Sequence, residues 1–251
     1  MQYSLVNGLK TEAKPNLNGI CMLCKNPTIS ACGALNIWHW RHISKKNCDD
    51  WWESETPWHR EWKSNFPSAW RETIHHDPHT NEKHIADVKT MNGVVLEFQN
   101  SPIDLQELQS REKFYDKLIW VVNALSFKKN FEFGHKLPNP NSDFPKNIKF
   151  YGDTVHMIAY DKNDDKNDNG CVEFLRKINN ERIEHVVDKY YSSHYTFIWK
   201  RKRKVWLESS KNVFFDFNDG FLWRILYDFE FCSTHFCKAY SKKKFINYYN
   251  K

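Results

Sequence analysis

Trp58, Trp62 and Phe66 recur at every fourth position, the stripe of a buried helix face, while Glu55, His59 and Lys63 share another face of the same helix. Ser54 or Thr56 can cap this helix, and Pro57 suits its first turn. Three runs that read as strands follow, at 72–76, 84–89 and 94–99. Asp77-Pro78 opens the first connection, and Asn92-Gly93 makes the second a tight hairpin. A helix over about 104–117 and an apolar strand at 118–123 complete the order α-β-β-β-α-β. This is an α/β core with an antiparallel hairpin inside it.

Beyond the core, residues 130–150 hold Pro138, Pro140 and Pro145 among asparagines and read as a linker. A polar loop is expected at 161–170. Val172, Leu175, Ile178, Ile183, Val186 and Tyr190 then outline a helix. The C-terminal part reads as strands at 195–199, 204–207, 213–217 and 221–227, either a separate domain or an extension of the core sheet. The division expected is 1–50, 51–130 and 131–251.

Composition narrows the class. In 251 residues, 8 Gly and 9 Pro are too few for a collagen-like or low-complexity chain. Aromatic residues make up 16% and include 11 Trp, much of it core material. The N-terminus lacks an apolar signal-like segment and no run is long enough to span a membrane, so a cytoplasmic protein without membrane contact is expected. Seven cysteines, two of them in Cys21-x-x-Cys24, point to a reducing compartment and metal binding. The net charge of +6 is unevenly placed, since residues 189–251 carry 13 basic and 5 acidic side chains. Lys200, Arg201, Lys202, Arg203 and Lys204 lie between Trp199 and Trp206. Cations interleaved with aromatics suit the backbone and bases of DNA, the partner expected. The alternative is a solvated strand face or a frayed tail.

The candidate chemistry has two centres. Asp87 and Glu97 are equidistant from Asn92 at the hairpin apex, so they should face each other, with Gln99 on the same face. Like charges so placed call for a cation between them or a raised pKa, and a hard divalent ion is the natural cation. Glu55 and His59 could approach from the preceding helix. The second centre is Cys21-x-x-Cys24 followed by His39-x-x-His42, a two-sulfur, two-imidazole set for a structural Zn²⁺. Because His-x-x-His is one residue short of the usual finger spacing, a knuckle or ribbon is expected. Cys48 could replace one histidine, and Cys32 is a weaker substitute.

The runs 55–63, 84–88 (His84-Ile85-Ala86-Asp87-Val88), 96–103 (opening Leu96-Glu97-Phe98-Gln99) and 111–115 resemble the competence protein CoiA-like family of the PD-(D/E)xK nuclease superfamily. The resemblance covers about residues 20–125, including the Cys-x-x-Cys…His-x-x-His segment, and continues more loosely beyond. It implies a restriction-endonuclease-like mixed-sheet core with an N-terminal zinc unit and a β-rich basic C-terminal region. It also implies a metal-dependent DNA endonuclease. Asp87 and Glu97 would bind Mg²⁺ or Mn²⁺, and Glu55 and His59 would match polar positions of the first helix. Arg111 and Tyr115 would match positions that contact DNA phosphates. Gln99 stands where that superfamily usually has Lys, and a Gln cannot supply the cation. The alternative function is a non-catalytic single-stranded DNA-binding or processing factor.

Two weaker patterns read as ordinary surface. Asp165-x-Asn167-x-Asn169-Gly170 begins like an EF-hand loop, but Arg176 stands where a bidentate Glu is needed. His75, His76, His79 and His84 gather around a turn and could suggest a second metal site or a His-Asn-His nuclease. A polar strand end and turn is the better reading of them.

Overall fold

A computed structural model describes residues 1–35, 37–44, 48–139, 141–142, 148–152, 157–161, 173–175, 187–226 and 235–251. The protein is mixed α/β, rich in sheet and poor in helix. It forms two compact units. The first comprises Met1–Asn123, Ser209–Lys211 and Ile246–Lys251, and the second Ala124–Glu208 and Asn212–Phe245. The segments expected as separate N-terminal and core domains therefore belong to one unit. Among the described residues no helix is long and apolar enough to cross a membrane.

The first unit opens with five short antiparallel strands: β1 (Tyr3–Val6), β2 (Leu9–Glu12), β3 (Asn18–Ile20), β4 (Pro27–Ala31) and β5 (His39–His42), in the order β2-β1-β3-β4-β5. Trp40 is fully buried here, its indole N–H donating to Thr11 O at 2.9 Å. Gly19 is required by close approach, because a Cβ there would lie 2.9 Å from Ser4 Oγ.

Next comes α1 (Pro57–Ser64), capped by Thr56, whose N–H donates to His59 Nδ1 at 3.1 Å while its hydroxyl faces His59 N–H. Such a cap contributes about 1 kcal/mol. The predicted stripe is real: Trp62 and Phe66 are buried, and Trp62 stacks on Phe98 at 5.3 Å. The strands β6 (Arg71–His76), β7 (Lys83–Lys89) and β8 (Val95–Gln99), the helix α2 (Leu105–Phe114) and the strand β9 (Leu118–Asn123) follow. The helix-first order read from the sequence is present. The strands lie in the order β9-β8-β7-β6, with β8 antiparallel to β7 and parallel to β9. Flanked on both sides, β8 is buried along its whole length.

The second unit contains β10 (Phe131–Pro138), β11 (Ile148–Gly152), β12 (Met157–Asp161), β13 (Glu173–Leu175), β14 (Tyr191–Trp199), β15 (Asn212–Asp216), β16 (Phe221–Leu226) and β17 (Phe236–Ser241). Five of these form an antiparallel sheet ordered β10-β14-β17-β16-β15, and β11–β13 form a small sheet of their own. Three expectations change. The supposed linker starts with a full strand, because Phe131 stacks on Phe197 at 4.7 Å and anchors β10 to β14. Residues 173–175 pair with β12 as a strand rather than opening a helix, and 176–186 lie outside the described residues. Lys204–Leu207 is a 3-10 turn, not a strand, which drives Trp206 into the interior. The last helix, α3, spans Lys242–Tyr249.

Candidate functional site

The turn from β3 to β4 is a knuckle. Cys21 N–H donates to Asn26 O at 2.9 Å and Lys25 N–H to Cys21 O at 3.1 Å, with Lys25 in the left-handed region at φ +61°. Cys24 Sγ stands 3.3 Å from His42 Nε2, and Cys21 Sγ stands 3.6 Å from Cys48 Sγ. All four donor atoms lie within 4.8 Å of one another. A tetrahedral zinc with bonds of about 2.0–2.3 Å has ligand-to-ligand edges of about 3.3–3.8 Å. The cluster Cys21, Cys24, His42 and Cys48 could therefore hold a structural zinc. A hydrogen bond from Cys48 draws the Cys21 thiol down to about 4, and the same contact together with burial pushes Cys48 up.

His39, expected as a ligand, is not one. It stands three residues from His42 on a strand, where side chains alternate, so the two leave on opposite faces. Its Nδ1–H donates to Ile37 O at 2.8 Å, and Cys48 takes the fourth place.

The second centre grows from the β7–β8 hairpin. Thr90 N–H donates to Val94 O, and Gly93, at φ +76°, allows the tight three-residue loop centred on Asn92. Val88 pairs with Leu96 and Lys89 with Val95, a register that sets Asp87 opposite Glu97. There the carboxylates enter the ladder. Asp87 N–H donates to Glu97 Oε1 at 3.2 Å, and Phe98 N–H donates to Asp87 Oδ2 at 3.0 Å. On the other side of β7, Arg71 pairs with Val88 and Thr73 with Ala86, which sets Glu72 across from Asp87. Glu72 has φ +42°, a strained conformation for a long side chain. Its carboxylate accepts from the N–H groups of Gln2 at 2.7 Å and Tyr3 at 3.1 Å. Three carboxylates thus form a row across three strands.

Helix α1 lays its polar side along this row. Lys63 Nζ lies 2.5 Å from Glu55 Oε1, 3.0 Å from Glu72 Oε1 and 3.9 Å from Asp87 Oδ1, with its side chain 4% exposed. His59 Nε2 approaches Glu53 Oε2 at 3.5 Å, and Glu53 accepts from Asn100 N–H and Ser101 N–H. Arg111 closes the other end: Nη1 donates to Glu97 Oε2 at 3.2 Å and Nη2 to Trp51 O at 2.7 Å. These groups wall a cavity of about 240 Å³ that also borders His42 and Cys48. The wall carries six carboxylates (Asp49, Glu53, Glu55, Glu72, Asp87 and Glu97) against the permanent cations Arg41, Lys63 and Arg111. A phosphate enters such a wall only with added positive charge.

The titration of the row reflects that crowding. Burial and the Asp87 charge push Glu97 up to about 8, against the opposing pull of Arg111. Burial also raises Asp87, with Lys63 and His59 resisting. Burial would raise Glu72 too, but Lys63 overcomes it and holds the carboxyl down at about 2. For His59 burial lowers the pKa, yet the Glu53 hydrogen bond and the Asp87 charge raise it on balance. Because Thr56 N–H occupies the Nδ1 lone pair, neutral His59 carries its proton on Nε2. That Nε2–H faces Glu53, and the raised pKa favours the imidazolium, the form that can give up a proton.

Other expected site residues fall elsewhere. Gln99 is 3% exposed and outside the cavity wall, its amide donating to Ser101 O at 3.2 Å. Arg111 is paired with Glu97 in the cavity wall, whereas Tyr115 is 1% exposed among Trp51, His75 and Phe114 and lies outside that wall. In the second unit Lys200, Arg201, Lys202 and Lys204 are exposed on a turn, while Arg203 donates to Ser126 Oγ and covers the Phe127 ring. Trp199 and Trp206 are core residues, 2% and 1% exposed, and present no stacking surface. The four clustered histidines do not converge. His84 stacks on Trp51 and donates to Asp49, His75 meets Lys89, and His76 meets Asn81. The EF-hand-like segment lies outside the described residues.

Lys63, Glu53 and Glu72 join the site without having been singled out for it. Lys63 had a signal, one turn beyond His59 on the Glu55 face of α1. Glu53 and Glu72 had none. No family model, curated protein or solved structure matches this chain.

Proposed function

We infer that the chain is a divalent-metal-dependent DNA endonuclease with a CoiA-like, restriction-endonuclease-like core. The observation that carries this reading is the Asp87–Glu97 pair, set face to face by the hairpin register in a cavity walled by six carboxylates. Asp87 and Glu97 would hold Mg²⁺ or Mn²⁺, and Glu97, pushed up to about 8, gives up its proton when a cation replaces it. Bound there, the ion supplies Lewis-acid polarisation of the phosphate and a lowered pKa for water. The chain's own residues orient the site: Glu53 holds the His59 ring, which as imidazolium would protonate a leaving oxygen from Nε2. The zinc cluster braces the cavity wall through His42 and Cys48, and the exposed cations at 200–204 hold DNA backbone by charge.

A second reading, a non-catalytic single-stranded DNA-processing factor, is favoured by one contact. Arg111 already occupies Glu97 Oε2, and a cation in that place can neutralise the pair permanently. Plasmid cleavage in Mg²⁺ or Mn²⁺ separates the two. Wild type should cleave and Asp87→Ala should not, with circular dichroism unchanged. Equal cleavage by both proteins, or DNA binding without any cleavage, would sink the nuclease reading.

A further inference from the structure

We propose that Lys63, carried on α1, is the cation that acts on the scissile phosphate, in the role for which the strand position Gln99 offers no charge; the proposal rests on the nuclease reading. An ammonium has three N–H donors. One is donated to Glu72 at 3.0 Å, and a second side of the ammonium is held by the Glu55 ion pair at 2.5 Å. The third has only Asp87 Oδ1, at 3.9 Å, beyond hydrogen-bond reach. Lys63 thus presents a charged donor beside the carboxylate that would hold the metal, and it lines the cavity, whereas Gln99 does not. The two carboxylates that grip Nζ come from different elements, one before α1 and one on β6, so the ammonium is fixed before substrate arrives. Glu72 is held for this in a strained backbone by the N–H groups of Gln2 and Tyr3.

In the hydrolysis, water loses a proton to solvent and its oxygen forms the new P–O bond. The bond from phosphorus to the leaving sugar oxygen breaks, and that oxygen takes a proton from Nε2 of His59 in its imidazolium form, leaving a neutral ring that solvent reprotonates. Lys63 gives up no proton. Its free N–H bonds a phosphoryl oxygen, where negative charge gathers in the transition state. Loss of one such donor lowers kcat by about 100- to 1,000-fold.

The test uses Lys63→Gln and the charge-balanced pair Lys63→Gln with Glu72→Gln, which removes the Glu72 charge together with its partner if the single variant unfolds. Cleavage rates at saturating Mg²⁺ and DNA are compared with Mn²⁺ affinity by calorimetry and with thermal melting. A folded neutral variant that binds Mn²⁺ as wild type does, yet cleaves about 100-fold or more slowly, supports the proposal. So does Lys63→Arg keeping most of the rate, since it keeps the charge. Cleavage by a neutral variant close to the wild-type rate would overturn the role of Lys63 alone. A rate loss restored by raising Mn²⁺ would also overturn it, by showing that Lys63 only shapes the metal site. A wild-type protein that binds Mn²⁺ and cleaves no DNA would remove the nuclease reading, and this role with it.

Discussion

Glu97 is 7% exposed and faces a second carboxylate, so its charge is held against both burial and repulsion. A carboxyl raised from 4.5 to about 8 binds its proton more tightly in the folded chain than in the unfolded one. The resulting stabilisation is full below the unfolded pKa and fades as pH rises through the folded one, at about 1.4 kcal/mol per pH unit within that window. Wild type should therefore lose stability relative to Glu97→Gln between pH 4.5 and 8, as read by urea midpoints. Parallel profiles for the two proteins would refute the raised pKa. On the nuclease reading the same proton competes with the ion, so Mn²⁺ affinity should climb about tenfold per pH unit from 6 to 8 and then level. Calorimetry across that range checks it. The opposed pair was legible in the sequence, because the hairpin centre at Asn92 fixes both partners. The residues that set its charge state were not, since Arg111 and Lys63 reach it through packing.

At the scale of elements, the Cys/His cluster, which could hold zinc, shows how a spacing changes meaning with secondary structure. His-x-x-His on a helix would place both imidazoles on one face, whereas on β5 it separates them. Elemental analysis should find about one zinc per chain, as a single four-ligand site requires. Cys48→Ser should lower both zinc content and melting temperature, because binding of a structural metal is coupled to folding. His39→Ala should keep the zinc. A metal-free wild type with an unchanged melting temperature would refute the centre. The turn at 204–207 carries a similar lesson: alternation within Lys204–Leu207 mimics a strand, but burial of Trp206 decides the conformation. Trp206→Ala should cost about 3–5 kcal/mol by denaturant melting, and Trp199→Ala a similar amount.

Across the whole molecule, charge is partitioned: the basic turn at 200–204 belongs to the second unit, whereas the carboxylate-lined cavity belongs to the first. Since 200–204 is a turn and not a strand, its exposed cations are not halved by alternation. Replacing Lys200, Arg201, Lys202 and Lys204 by Ser should flatten the log-log salt dependence of DNA binding by up to about 0.9 for each phosphate no longer neutralised, or roughly three to four in all. Affinity should fall alike for every sequence, while zinc content and Mn²⁺ binding stay unchanged. Titrations of a labelled duplex at several salt concentrations would show it, and an unchanged slope would mark the turn as solvated surface only.

What the sequence determined by itself is everything set by short-range periodicity and turn chemistry. This covers the phase of α1 with Trp62 inward, the α-β-β-β-α-β order, the Asn92-centred loop and hence the Asp87–Glu97 opposition, and the Cys21-x-x-Cys24 knuckle. Tertiary structure alone decided the rest. It brought Cys48 and not His39 to the Cys21–Cys24–His42 cluster, turned Glu72 through a positive φ to grip Lys63, and set Arg111 against Glu97. It also buried Trp199 and Trp206, which read locally as a stacking surface. Local spacing fixes which face of an element a side chain leaves from. The partner it meets depends on how segments tens of residues apart pack, and a buried charge is tolerated only where that packing supplies its counter-charge.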